Sequence, residues 1–237
     1  MPDDAATAID IEVIADIACP WCHIGLARLA KARAACPARP TRVRWWPFFL
    51  NPNLPPEGMD RATYLNAKFG GRAAAARVYE RIRESGRLEG IDFDFARMRR
   101  TPNTLAAHRL ILHAEEQGSA EPLIEGLFRA LFQEGRDIGR HQELIDLAGA
   151  AGLARAETAR LLKGERYARE VRALHLRAER IGVRGVPVFA IDRKHAIAGA
   201  QPPEVLSGLI DLAVRARAEG EAASTPKRSA SGALSRA

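Results

Sequence analysis

Cys19 and Cys22 are separated by Pro20 and Trp21, and two thiols at this spacing can close a disulfide and open it again. The tetrad follows a short apolar segment and opens a helix-like run, His23 to Ala35. At a helix start, unpaired N–H groups and the positive end of the dipole favour a thiolate on the first cysteine. Pro20 sits where a missing N–H costs nothing and a fixed φ suits helix entry. Thiol–disulfide exchange is the chemistry this junction offers. Zinc is the rival reading, with Cys36 and His23 as further ligands, but a structural zinc site needs a second close pair from another element. Cys36 would lie at the far end of the same helix, at least ~20 Å away at about 1.5 Å per residue. No metal is therefore expected, and Cys36 reads as a small helix-end residue or an accessory redox thiol. His23 either modulates the pair or faces solvent, and Asp16 either acts as a local base or ends the strand.

The elements that must position the tetrad follow from periodicity. Ile9 to Asp16 reads as a strand, with Ile11, Val13 and Ala15 alternating against Glu12, Ile14 and Asp16. A helix from Cys19 to about Ala35 ends near Cys36-Pro37, and Thr41 to Phe49 reads as a second strand. Strand, helix, strand predicts a βαβ unit with a parallel pair. Trp45, Trp46, Phe48 and Phe49 are expected in the sheet core. From Asp60 to Arg180 the pattern is helical, with segments expected over 60–69, 72–86, 104–117, 120–133, 140–151, 155–163 and 165–181. Asp60, Asn103 or Thr104, and Ser119 are the expected N-caps. Strands return over 186–191 and 195–198, and a last helix is expected over 203–218. This order, β-α-β, a helical block, then β-β-α, predicts an α/β thioredoxin fold interrupted by a large all-helical insertion. The expected division is a thioredoxin-like first part over 9–52, the insertion over 60–181, a thioredoxin-like second part over 183–218 and a disordered tail over 220–237.

Of the 237 residues, 47% are hydrophobic and 27% charged, the balance of a globular chain. No apolar run approaches the roughly 20 residues that a membrane span requires. The acidic start, Met1-Pro2-Asp3-Asp4, lacks the basic and apolar regions of a secretory signal, so a cytoplasmic location is expected. Three cysteines there are too few for a disulfide scaffold. The net charge of +7 is spread over helices where acids accompany the arginines, as in Glu80-Arg81 and Glu179-Arg180. Solvated faces account for it better than a nucleic-acid partner.

Asp16 to Gly25, Thr101-Pro102-Asn103-Thr104, Ala107-His108-Arg109, Gly182 to Pro187, and Gly199-Ala200-Gln201-Pro202 occur in an order that resembles the DsbA-like thioredoxin superfamily. The chain is most similar to its FrnE-like branch, which is related to 2-hydroxychromene-2-carboxylate isomerases and kappa-class glutathione transferases. The resemblance implies a protein-disulfide oxidoreductase or isomerase with a helical lid. Cys19 would be the nucleophile, its sulfur exposed at the helix end, and Cys22 the resolving thiol one turn deeper. Pro20, Trp21, Val186, Pro187, Asn103 and His108 would bind substrate, with Pro187 cis beside the cysteines. An X–Pro bond is cis only about 5–6% of the time by default, so this comes from the resemblance alone. No bound cofactor is implied, though glutathione is admitted as a redox co-substrate. The partners would be disulfide-containing proteins or small thiols, with no nucleic acid and no membrane, and the chain a monomer or homodimer. The alternative is a glutathione-dependent isomerase or transferase; those relatives carry serine at the first cysteine, and two cysteines here argue against it. A chaperone-like holder using the helical cleft is a third reading.

Overall fold

The chain opens with strand β1 (Ile9–Ala15), helix α1 (Pro20–Ala34) and strand β2 (Thr41–Pro47). A computed structural model describes residues 8–118 and 120–224, with side chains to residue 219. The acidic start, the expected cap Ser119 and residues 225–237 of the expected tail lie outside the described residues. A two-residue strand β3 (Met59–Asp60) leads into α2 (Arg61–Phe69) and α3 (Arg72–Arg87). After β4 (Arg100–Thr101) come α4 (Leu105–Glu116), α5 (Ala120–Phe132), α6 (His141–Ala150), α7 (Arg155–Lys163) and α8 (Ala168–Arg180). Strands β5 (Val188–Ile191) and β6 (His195–Ala198) and helix α9 (Pro203–Ser224) complete the order. This is a thioredoxin fold with its helical block inserted between β2 and β5.

The main sheet has the order β2-β1-β5-β6. β1 runs parallel to β2, with Val13 opposite Trp45, and antiparallel to β5, with Val13 opposite Phe189. β1 is interior to the sheet, and both of its faces are covered because a separate cluster packs on each. Ile11, Val13 and Ala15 join the main core, while Ile14 packs with Phe48, Ala178 and Val188 on the other side. Glu12, a buried carboxylate, accepts from Nε of the exposed Arg193 at 2.8 Å. Of the aromatic run in and after β2, Trp45 and Phe48 are buried as expected, while Trp46 and Phe49 are half-buried. β2 is the sheet edge, and the Trp45 N–H that would lie open there donates to the Glu115 carboxylate.

Boundaries shift where local chemistry dictates. Asp16 leaves β1 and turns, and β5 begins after Pro187 rather than at Val186. Asp60 caps α2 as expected, accepting from Thr63 N at 3.0 Å. α8 starts at Ala168, not 165, because Tyr167 is left-handed at φ 65. The β3–β4 bridge was not anticipated, since two residues carry no periodic signal. It brings Gly58 so near Thr101 that a Cβ there would stand 2.5 Å from the Thr101 carbonyl oxygen. The last helix runs on to Ser224, overturning disorder for residues 220–224; the Ala- and Glu-rich run there favours helix.

Candidate active site

Asp16 organises the entry to α1. Its Oδ1 accepts from Ala18 N at 3.1 Å, its Oδ2 from Leu50 N at 2.8 Å, and its carbonyl from Cys19 N at 3.0 Å. The carboxylate thus ties the end of β1, the turn before α1 and the chain leaving β2. His108 Nδ1 accepts from Trp45 Nε1 at 3.0 Å, so the ring proton sits on Nε2, 3.3 Å from Asp16 Oδ1. Burial alone would raise the Asp16 carboxyl; His108 and the two amides outweigh it and hold the group below its ordinary value.

Cys19 is the N-cap of α1 in extended conformation, with Pro20 at the first helical position. Its carbonyl accepts from Cys22 N at 3.0 Å, which places the second thiol one turn into the helix. Both cysteines are free thiols. Cys19 is 4% exposed and Cys22 fully buried. The exposed sulfur implied for Cys19 is therefore corrected: the helical insertion roofs it. Burial pushes the Cys22 thiol well above its ordinary value, and the neighbouring Cys19 sulfur and the Asp16 charge add to that. Cys19 Sγ donates to the Val186 carbonyl oxygen at 3.6 Å, and the Val186–Pro187 peptide bond is cis. Gly25 permits this approach of α1 to the second half of the sheet. A Cβ at that position would stand 3.0 Å from both Pro187 Cγ and Phe189 Cζ.

A cavity of about 160 Å³ opens beside Cys19, with Pro20 and Trp21 on its wall. The insertion supplies the opposite wall, including Tyr64, Tyr79, Phe95 and Met98. Two cations line it as well, Arg61 and Lys68. Arg61 Nη1 donates to Thr101 Oγ1 at 3.0 Å and Nη2 to Tyr79 OH at 2.6 Å. Sequence reasoning missed both cations. The only signal was a basic residue directly after the Asp60 cap, which is indistinguishable from a solvated one.

Other expected site residues are placed elsewhere. His108 is fully buried behind Asp16 and does not line the cavity beside Cys19, contrary to the substrate-lining expectation. Asn103 uses its side chain structurally: Nδ2 donates to Leu54 O at 2.9 Å, and Oδ1 accepts from Leu105 N at 3.0 Å. It does not line the cavity beside Cys19. His23 does not face solvent; it stacks on Phe128 at 4.9 Å in a different cavity. Burial lowers its pKa to about 4, so the ring is neutral. Cys36 is half-buried just beyond α1, its N–H bonded to Arg33 O at 3.0 Å. Among the described residues no group of three or more His, Cys, Asp or Glu is placed to hold a metal ion. Among them, too, no helix is long and apolar enough to cross a membrane.

Residues 10–211 match the profile of the DSBA-like thioredoxin domain. A probable DsbA oxidoreductase of Streptomyces coelicolor is 33% identical, with a TM-score of 0.78 over 92% of each chain. The cytosolic disulfide reductase DsbM of Pseudomonas aeruginosa, in a structure with GSH, is 20% identical, with a TM-score of 0.58 over 87% of this chain and 99% of that one. In sequence, the uncharacterized protein YwbO of Bacillus subtilis is 26% identical over 184 residues, 77% of this chain and 86% of that protein.

Proposed function

Because this chain belongs to the DSBA-like thioredoxin domain family, we propose that it is a thiol–disulfide oxidoreductase in which Cys19 attacks and Cys22 resolves. The observation that carries the reading is the asymmetry of the pair. Cys19 caps the helix and reaches a cavity, whereas Cys22 is sealed behind it with its thiol held protonated by burial. The Cys19 thiolate attacks one sulfur of a disulfide, forming a mixed disulfide and releasing the other sulfur as a thiolate. Once Cys19 is bonded, its charge no longer opposes ionisation of Cys22. Cys22 then gives up its proton and attacks Cys19 Sγ. The substrate's second sulfur leaves with the bonding pair, takes up a proton, and a Cys19–Cys22 disulfide is left. Two electrons pass from the dithiol to the substrate, and the reverse sequence forms disulfides.

Asp16 is too acidic to serve as the base in this scheme. Its role is to shape the turn and to hold negative charge near Cys22, which keeps the resolving thiol neutral until it is needed. Pro20 and Trp21 bound the substrate, and Val186 and Pro187 offer backbone and ring surface beside Cys19. The division into a thioredoxin-like unit, over 9–52 and 183–218, and an insertion over 60–181 belongs to the same reading. So do a cytoplasmic location, kinship to the FrnE-like branch, protein or small disulfides as partners, and glutathione as redox co-substrate. The DsbM structure with GSH supports the last of these.

Equilibrating the protein across ratios of reduced to oxidised glutathione, with thiol trapping and mass readout, tests the proposal. A reversible two-electron transition at Cys19 and Cys22 is expected. If no intramolecular disulfide forms at any ratio, the proposal is wrong and a glutathione-dependent isomerase takes its place.

A further inference from the structure

The cavity beside Cys19 has a charge that its architecture does not use. Arg61 and Lys68 line it, and no aspartate or glutamate does among the described residues. The Arg61 guanidinium lies 5.4 Å from the Tyr64 ring and 5.3 Å from that of Tyr79, with hydrogen bonds to Thr101 and Tyr79 holding its plane. Both of those partners are neutral. Its Nε–H is buried and has no hydrogen-bond partner. Lys68 Nζ sits 5.3 Å from the Tyr64 ring and 3.5 Å from Asn51 Oδ1, also a neutral acceptor. Fifteen arginine–carboxylate pairs elsewhere among the described residues show that its arginines readily find carboxylates, yet neither cation here is in an ion pair.

A guanidinium fixed between aromatic rings, with a spare donor and no counter-charge, is suited to a planar anion. The same cavity holds the sulfur at which exchange would start, so that anion would arrive on the disulfide itself. We infer that Arg61, with Lys68 beside it, is an anion subsite that selects small disulfides carrying a carboxylate near the reacting sulfur. The inference rests on the thiol–disulfide reading above. The exchange it describes is balanced: the dithiol is oxidised to Cys19–Cys22, and the carboxylate-bearing disulfide is reduced to two thiols. The subsite only positions; no proton or electron passes through it.

The test compares two disulfides of similar size, neutral hydroxyethyl disulfide and anionic dithiodipropionate. Initial rates with the reduced full chain at low salt are each normalised to the uncatalysed rate with dithiothreitol. The expected result is about a tenfold preference for the anionic disulfide, shrinking as salt is added. Arg61→Met should bring the ratio of the two rates to within about twofold, and Arg61→Lys should keep part of the preference. Lys68 is exposed, so Lys68→Met also tests the subsite if Arg61→Met does not fold; a severalfold drop in the ratio is expected. A wild-type ratio near one, or a ratio indifferent to both substitutions, overturns the subsite while leaving disulfide exchange intact. Failure to reduce either disulfide overturns the exchange reading itself, and the subsite with it.

Discussion

Two cavities flank α1, and they differ in size and in chemistry. The one reached by Cys19 measures about 160 Å³ and brings in Arg61 and Lys68 without an acid. The other measures about 360 Å³ and lies between α1 and α5, bounded by His23, Phe128, Trp45 and three glutamates. Its charges are largely spent: Arg33 pairs with Glu121 at 2.9 Å, and Glu89 takes both Arg28 and Lys31. His23 there is neutral and stacked, although it directly follows Cys22 in the chain. On the proposed reading, volume therefore does not identify the reactive side of the helix. What separates the two is which face of one turn carries sulfur, and where charge is left without a partner.

Breaking that contrast on the Cys19 side should have the largest effect. Cys19→Ser is expected to lower disulfide exchange by about a thousandfold or more, while Cys22→Ser should trap the mixed disulfide, seen as a mass increase on Cys19. Comparable exchange by Cys19→Ser would mean that the smaller cavity is not the reactive one. On the other flank, Phe128→Ala removes the floor of the larger cavity and should cost about 3–5 kcal/mol in denaturant unfolding. Its rate of attack on a small disulfide should stay within about twofold of wild type under conditions where it is folded. A much slower attack would show the two flanks to be coupled.

Asp16→Asn sharpens the comparison between them. Losing the charged acceptor for Ala18 N and Leu50 N should cost about 2–3 kcal/mol. The Cys22 thiol should also titrate at lower pH, followed by alkylation with Cys19 replaced by serine, because a neighbouring negative charge is gone. An unmoved Cys22 titration would reduce Asp16 to a turn residue. The smallest effect belongs to the sheet edge. Burial raises the Glu115 pKa to about 7 from an ordinary 4.5, so folding favours its protonated form. That stability is complete below the unfolded value and is lost as pH rises toward 7, by about 2 kcal/mol after allowing for partial exposure. Glu115→Gln should flatten the unfolding profile over this window, and a profile with the same slope would show that another group sets it.

How much was legible beforehand follows from the range of the interactions involved. The strand-to-helix junction, the Asp60 cap and the return of strands after Gly182 are local patterns, and each is present close to where the sequence implied it. Asn103 and His108 were legible as special but not in their roles. A buried histidine whose partners are Trp45 and Asp16, and an asparagine bonded to Leu54, are fixed by contacts 49 to 92 residues away in the chain, which no spacing rule encodes.

By itself, then, the sequence determined the Cys19-Pro20-Trp21-Cys22 tetrad, its place at the first turn of a helix and the split order of the fold, because spacing, capping and periodicity act within a few residues. Only the tertiary structure decided that Cys19 is roofed, that His23 turns away while His108 braces Asp16, and that Arg61 and Lys68 share a cavity with the sulfur. Those outcomes depend on how the insertion packs over α1, a matter of side chains converging from distant segments.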